Sequence, residues 1–229
     1  MSNATTLGKI LRVVGIILLG LTAAFHLLGG IGTACVALGA ENYDSMVGIA
    51  PFKWLYQFFV LATIAVAVYA IRCTIAFARS KEKSYRDALV ILVIGAVLSG
   101  VHVVSSQILR GASMPNDARL YMNILTLVVF LVFNIPAIRE AMALGLATGG
   151  GTAGTGLGVA AIIMGISTLT VQIWAGPTHT FGGVNFADVW HTQLALAGWG
   201  LILLGVGLVA WHMQRPRITT RKPTALKQV

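Results

Sequence analysis

Residues 10–39 read ILRVVGIILLGLTAAFHLLGGIGTACVALG, thirty consecutive positions with a single charge, Arg12, and a single imidazole, His26. At 1.5 Å of rise per residue a helix of that length reaches about 45 Å, more than the ~30 Å of a bilayer's hydrocarbon core. The stretch therefore sets the solvent of the whole chain. Composition agrees: 57% of the 229 residues are hydrophobic and only 10% charged, with mean hydropathy +0.84, so there is too little charge to cover a water-soluble globule. Lys9 and Arg12 precede an apolar segment far longer than a signal-peptide core, and no small-residue cleavage site follows before the glycines. The segment is expected to stay in the mature protein as its first span.

Working outward, five more apolar runs fall near 54–78, 88–109, 119–139, 156–175 and 189–213. The expected fold is all-α, a polytopic transmembrane helix bundle of six spans in one membrane domain covering 1–229, with 214–229 as a basic tail. The links carry the charge. Placed with the N-terminus in the cytoplasm, thirteen of the sixteen Lys and Arg residues lie on that side, including Lys9, Arg12, Arg79, Lys81, Lys83, Arg86 and the tail, and three, Lys53, Arg110 and Arg119, on the other. That is the positive-inside pattern; it predicts both termini in the cytoplasm and a multi-pass protein of the inner (cytoplasmic) membrane. The net charge of +9 then calls for no nucleic acid, because the basic residues sit where topology and anionic lipid put them. Arg72 is expected to snorkel from the inner end of the second span.

Several motifs are read as bland. The run GGGTAGTGLG at 149–158 lacks the GK[ST] ending of a phosphate-binding loop and follows no strand, so a flexible cytoplasmic connector is expected. Cys35 and Cys73 have no second ligand at metal spacing and are expected as buried thiols. His212 and His191 flank tryptophans at span ends, where interfacial anchoring accounts for them, and His179 falls in a loop. Tyr121, Asn123 and Gln107 read as ordinary interhelical hydrogen-bonding groups.

His26 and His102 are different, because both lie well inside apolar helices, where an ionisable side chain is expensive. Counted from Ile10 and Ala88, they stand roughly 24 Å and 21 Å along helices that start on the same side, so matched depth in the outer half of the bilayer is expected. Two imidazoles from facing helices at one depth suit the axial positions of a b-type haem iron. A hydrogen-bonded structural pair, another metal or a proton path would use the same residues.

A further set of motifs runs in order along the first half of the chain: HLLGG at His26, GAENYDS at Gly39–Ser45, Ala50-Pro51-Phe52-Lys53, IAFARSKEKSYRD at Ile75–Asp87, and Val101-His102-Val103. Over roughly residues 7–110 this series resembles the b-type cytochrome membrane anchor of succinate dehydrogenase and fumarate reductase, in its single-chain form. The resemblance implies that His26 and His102 grip the haem farther from the cytoplasmic subunits. It also implies quinone as the exchange partner, and soluble flavoprotein and iron–sulfur subunits docked on the basic cytoplasmic surface. The second haem of that family has no ligands here, since neither the second nor the fourth span contains a histidine, and the sixth span is additional to the family plan. The expectation is thus a cytochrome b-like electron-transfer subunit with one haem b, with Lys53 or Arg110 as propionate contacts and no catalytic residue of its own. Its rivals are a haem-free structural or assembly subunit and a small transporter, for which Asn134-Ile135-Pro136 would be the broken-helix element.

Overall fold

The fold is described from a computed structural model for residues 4–144, 153–174, 176, 180–181 and 183–214. Helix α1 (Thr6–Gly39) is followed by two 3-10 stretches (Ala40–Asn42 and Asp44–Phe52), α2 (Lys53–Ala78), α3 (Ser84–Arg110), α4 (Asn116–Val132) and the short α5 (Pro136–Ala141). Then come α6 (Ala153–Leu169), α7 (Val171–Trp174), an antiparallel pair of two-residue strands, β1 (Thr180–Phe181) and β2 (Val184–Asn185), α8 (Phe186–Val189) and α9 (His191–Gln214). The protein is an all-α multi-pass membrane bundle: α1, α2, α3 and α9 are long and apolar enough to cross a bilayer, while α4 and α6 have 17 residues each.

Local chemistry sets the ends. Thr5 caps α1, its hydroxyl accepting from the Gly8 N–H at 3.0 Å. Gly111, at φ +69°, closes α3 in the left-handed conformation. The run expected at 119–139 does not continue as one helix; Pro136 has no N–H to return to the preceding turn, and the chain breaks between Phe133 and Ile135 before α5 begins. The glycine run is also not wholly a connector. From Ala153 onward it is helix, while 149–152, like His179, Pro177 and the tail at 215–229, lies outside the described residues.

The buried positions explain why four of these helices associate. In α2 they recur at Tyr56, Phe59, Thr63, Val66, Ala70, Cys73 and Phe77, and in α3 at Tyr85, Ala88, Leu92, Gly95, Ser99, His102 and Ser106. Arg119, Asn123, Thr126, Phe130 and Phe133 continue the same alternation of three and four along α4, and Arg12, Gly15, Leu19, Thr22 and His26 along α1. This is the heptad spacing of left-handed helix packing. In lipid the outward positions stay apolar, as Val93, Val97, Val101, Val104 and Ile108 of α3 show, because nothing there needs to be polar. Helix α1 packs on α2, α4 and α6, and α3 packs on α2 and α4, closing a four-helix unit.

That unit is zoned along its axis. Toward the end carrying the start of α1, Ile16, Leu19, Phe77, Leu92, Phe130 and Phe133 fill the core, and Tyr85 donates to the Phe130 carbonyl at 2.6 Å. Arg12 closes this end, donating to the Phe77 carbonyl at 3.1 Å with its guanidinium over the Phe77 ring. Toward the far end, where Gly39, Lys53 and Arg110 lie, Ala37, Ala40, Met46, Ile49, Tyr56 and Phe59 form a second apolar cluster, and the layer between the two is polar.

A second contact holds the C-terminal part. On α6, Gly158 and Gly165 stand seven residues apart, as do Gly205 and Gly198 on the antiparallel α9. A Cβ on Gly158 would come within 2.6 Å of the Gly205 carbonyl oxygen, and one on Gly165 within 2.6 Å of the Gly198 carbonyl oxygen. Bare backbone on both sides is what lets these helices approach so closely, giving van der Waals contact in a solvent that offers no hydrophobic drive between helices. Gly156 likewise admits Ile16 of α1, and so seats the pair on the four-helix unit.

Candidate functional site

The polar layer of the four-helix core is organised by α4. Its inward positions Asn116, Arg119, Asn123 and Thr126 each meet a side chain of another helix. Thr126 shares a hydrogen bond with Thr22 of α1 at 2.7 Å. One turn farther out, Asn123 Nδ2 donates to the Leu92 carbonyl of α3 at 2.7 Å, which fixes the amide so that Oδ1 faces His26 Nε2 at 2.9 Å. An amide oxygen only accepts, so His26 carries its proton on Nε2. Its Nδ1 is left as a buried atom with no partner among the described residues.

Arg119 occupies the next layer. Its Nη2 donates to His102 Nδ1 at 2.9 Å and its Nη1 to Thr63 Oγ1 of α2 at 3.4 Å. A guanidinium only donates, so His102 Nδ1 is the accepting nitrogen and the proton of this ring also sits on Nε2. Asn116 Nδ2 lies 3.2 Å from that Nε2 and 3.5 Å from Ser106 Oγ; two N–H groups cannot bond each other, so the Nε2 proton finds an acceptor here only when the nitrogen and oxygen of this amide are exchanged. Phe59 stacks on the His102 ring with centroids 4.2 Å apart, Tyr56 meets it edge-on at 5.2 Å, and Tyr56 Oη is bonded to Ser106 at 2.8 Å. Glycine makes room on the opposite wall: a Cβ on Gly29 would stand 3.1 Å from Arg119 Nη1.

Both expected site residues, His26 and His102, are thus fully buried in the bundle, but they are not at one depth. The residue of α3 that faces His26 is Gly95, whose added Cβ would lie 2.9 Å from His26 Nε2. His102 is seven residues beyond Gly95, about 10 Å farther along the helix. The expectation of matched depth counts both helices from their first apolar residue. The start of α1 overhangs the bundle to pack on α5, where the Thr5 N–H donates to the Ala141 carbonyl at 3.0 Å; it is Gly15 that is level with Phe77 and Phe133.

A six-coordinate haem needs one lone pair from each of two rings facing across a flat macrocycle. The side chains present do not fit that arrangement. The rings differ in level by two turns, the His102 lone pair already accepts from Arg119, and Asn123 and Arg119 lie against the two imidazoles. The propionate contacts are also engaged elsewhere, with Lys53 paired to Glu41 at 2.8 Å and Arg110 donating to the Met114 carbonyl. Among the described residues no group of three His, Cys, Asp or Glu side chains is placed to hold a metal ion.

Other expectations resolve individually. Cys73 is buried, but Cys35 is exposed on the bundle's outer surface. Tyr121 faces outward and Gln107 donates to the Gly111 carbonyl at 3.1 Å, so of the three polar residues expected to bond between helices only Asn123 does so. His191 is exposed, and His212 packs beside Gly154 at the start of α6. No family model, curated protein or solved structure matches the chain.

Arg119 is the functional residue that the sequence reading misses. It stands four residues after Pro115 and two after Asp117, and so reads as a loop cation marking topology. Its place in the series Asn116, Arg119, Asn123, Thr126 is the signal that turns it inward. Chemically the site offers a buried cation, a neutral imidazole with an open lone pair and several hydroxyls, without a nucleophile and base in contact.

Proposed function

We propose that the chain is a haem-free subunit of a membrane assembly, an anchor or assembly component in which a buried polar seam locks four helices in register, with α4 and α6 as two short crossings and both termini on the cytoplasmic side. The observation that carries this reading is the commitment of both imidazoles to α4. His26 donates to Asn123 and His102 accepts from Arg119, so each histidine fixes helix position, which is the best-attested use of buried polar groups. The zoned core argues for an anchor over a transporter. Among the described residues the polar layer is bracketed by Leu92, Phe77, Phe130 and Phe133 on one side and by Ala37, Met46, Ile49 and Phe59 on the other, and the break at Asn134-Ile135-Pro136 falls at the end of α4 and not at the midplane.

A second reading has one atom in its favour. His26 Nδ1 is buried, unprotonated and unpartnered among the described residues, a nitrogen with the lone pair that an iron ligand needs. The cytochrome-type reading, with electron exchange between a quinone and a soluble partner, would start from that atom and require α4 to withdraw from His102. A dithionite-reduced minus oxidised spectrum of the protein purified after expression with added haem decides between them. The anchor reading expects no low-spin haem band. A stoichiometric band that disappears in both His26→Ala and His102→Ala would overturn it.

A further inference from the structure

Arg72 stands on the side of α2 that the bundle leaves uncovered. The buried residues of this helix, Thr63, Val66, Ala70, Cys73 and Phe77 among them, mark the side that meets α1 and α3. With 3.6 residues per turn Arg72 lies opposite them, on one row with Phe58, Leu61, Ala65, Val68 and Arg79. Every residue of that row is exposed, so in a membrane the row faces the acyl chains. Among the described residues the ion pairs are Lys53–Glu41 and Arg86–Asp87, and neither involves Arg72.

Depth makes the position costly. The 26 residues of α2 reach about 39 Å, and centring them on a hydrocarbon core of ~30 Å puts Arg72 about 5 Å inside its near boundary. The Cα–Cβ bonds of a helix tilt toward its N-terminus, which for α2 is the far end, so the Arg72 side chain starts out toward the midplane. Snorkelling to the near interface works against that tilt. A guanidinium cannot lower the cost by neutralising, because it stays protonated under all accessible conditions. Arg79, two turns nearer the interface on the same row, supplies a second guanidinium about 10 Å along the axis.

We propose that Arg72 and Arg79 bind the phosphate of an anionic phospholipid, whose acyl chains lie along Val68, Ala65 and Leu61. The arginine fork matches two phosphate oxygens at once. Beyond Arg72 the row is wholly apolar as far as Phe58, with Ala65 as a shallow seat between Leu61 and Val68, and so it repeats the two-part chemistry of a lipid. The link from α2 to α3 adds attraction for an anionic headgroup, since Arg79, Lys81, Lys83 and Arg86 outnumber Glu82 and Asp87. Charge alone would also suit an acidic residue of another subunit. That carboxylate would have to be carried into the hydrocarbon at a cost of its own, whereas a lipid phosphate already lies at its edge. The site needs only that α2 crosses a bilayer, and it stands whether or not a haem band is found.

The test incubates the full chain, purified in mild detergent, with equimolar phosphatidylglycerol and phosphatidylcholine, and counts each retained lipid by native mass spectrometry. The wild type should retain phosphatidylglycerol over phosphatidylcholine by about tenfold or more. Arg72→Leu should remove most of that preference, and Arg79→Gln should lower it about threefold to fivefold. Arg86→Gln takes one charge from the same end of the bundle, but from α3 and from a pair with Asp87, and should change the preference less than about twofold. Leucine suits a lipid-facing position, and circular dichroism that matches the wild type shows that the variant folds. The site is refuted when the wild type shows no preference, the outcome expected if Arg72 serves an acidic protein partner. It is refuted equally when Arg72→Leu and Arg86→Gln lower the preference to the same extent, as diffuse surface charge would.

Discussion

Asn123→Leu is the substitution that most sharply separates a polar seam from a merely apolar bundle. The side chains are nearly isosteric, and in lipid a leucine costs nothing in solvation, so a bundle held by packing alone would be indifferent or gain. The structure gives the opposite sign. Asn123 makes two interhelical bonds, to His26 Nε2 at 2.9 Å and to the Leu92 carbonyl at 2.7 Å. Interhelical hydrogen bonds in membranes average about 0.6 kcal/mol and reach about 1.7, so the pair contributes roughly 1–3 kcal/mol. Part of this is the cost of leaving the His26 N–H unsatisfied. That part can be isolated, because His26→Phe should relieve it: the double variant should recover at least about 0.5 kcal/mol relative to the sum of the singles. Reversible unfolding in mixed micelles, followed by circular dichroism, measures all four corners of the cycle. An Asn123→Leu protein within about 0.3 kcal/mol of wild type, or a cycle that closes additively, would refute the reasoning.

The same micelle assay checks the other expectations. Gly95→Ala should cost about 1–3 kcal/mol, because the new Cβ would stand 2.5 Å from Asn123 Oδ1, whereas Gly100→Ala on the same helix, with nothing within 4 Å, should be neutral or stabilising. Gly205→Ala should cost a similar amount by driving its Cβ to 2.5 Å from the Gly158 carbonyl oxygen, while Gly207→Ala, which meets nothing, should not; equal effects would show that α6 and α9 are not packed backbone to backbone. Tyr85→Phe should lose about 1 kcal/mol with the bond to the Phe130 carbonyl, and no loss would mean that this bond is exchanged for another in solution.

The long helices were legible in sequence because hydrophobic length alone announces a span: residues 54–78 and 88–109 became Lys53–Ala78 and Ser84–Arg110. Which face of each helix turns inward was not legible by the same token. In water the apolar face is the buried one, but in lipid Val97 and Val101 face outward while Gly95, Ser99 and His102 face the core. The informative residues are therefore the small and polar ones, and their alternation of three and four along α2, α3 and α4 was present in the sequence unread. Relative depth was lost for another reason. Counting from a helix start assumes that starts are level, and the packing of α1 on α5 displaces His26 by about two turns relative to His102. Arg119 was misplaced because a cation near Pro115 and Asp117 has the composition of a loop; only its helical phase with Asn123 and Thr126 reveals it. The glycines of 153–158 show the converse error, since a composition that usually means a linker serves here as a packing surface against Ile16 and Gly205.

The claim on which the account rests is that both imidazoles are neutral, carry their proton on Nε2 and belong to α4. Solid-state ¹⁵N NMR of histidine-labelled protein in bilayers reads this directly, with His26→Phe and His102→Phe assigning the two rings. The account predicts that, for each ring, Nδ1 gives an unprotonated nitrogen resonance and Nε2 a protonated one, with the His26 pattern altered by Asn123→Leu and the His102 pattern by Arg119→Met. A lone pair on Nε2 in either ring, or resonances lost from both rings to a bound iron centre, would contradict it.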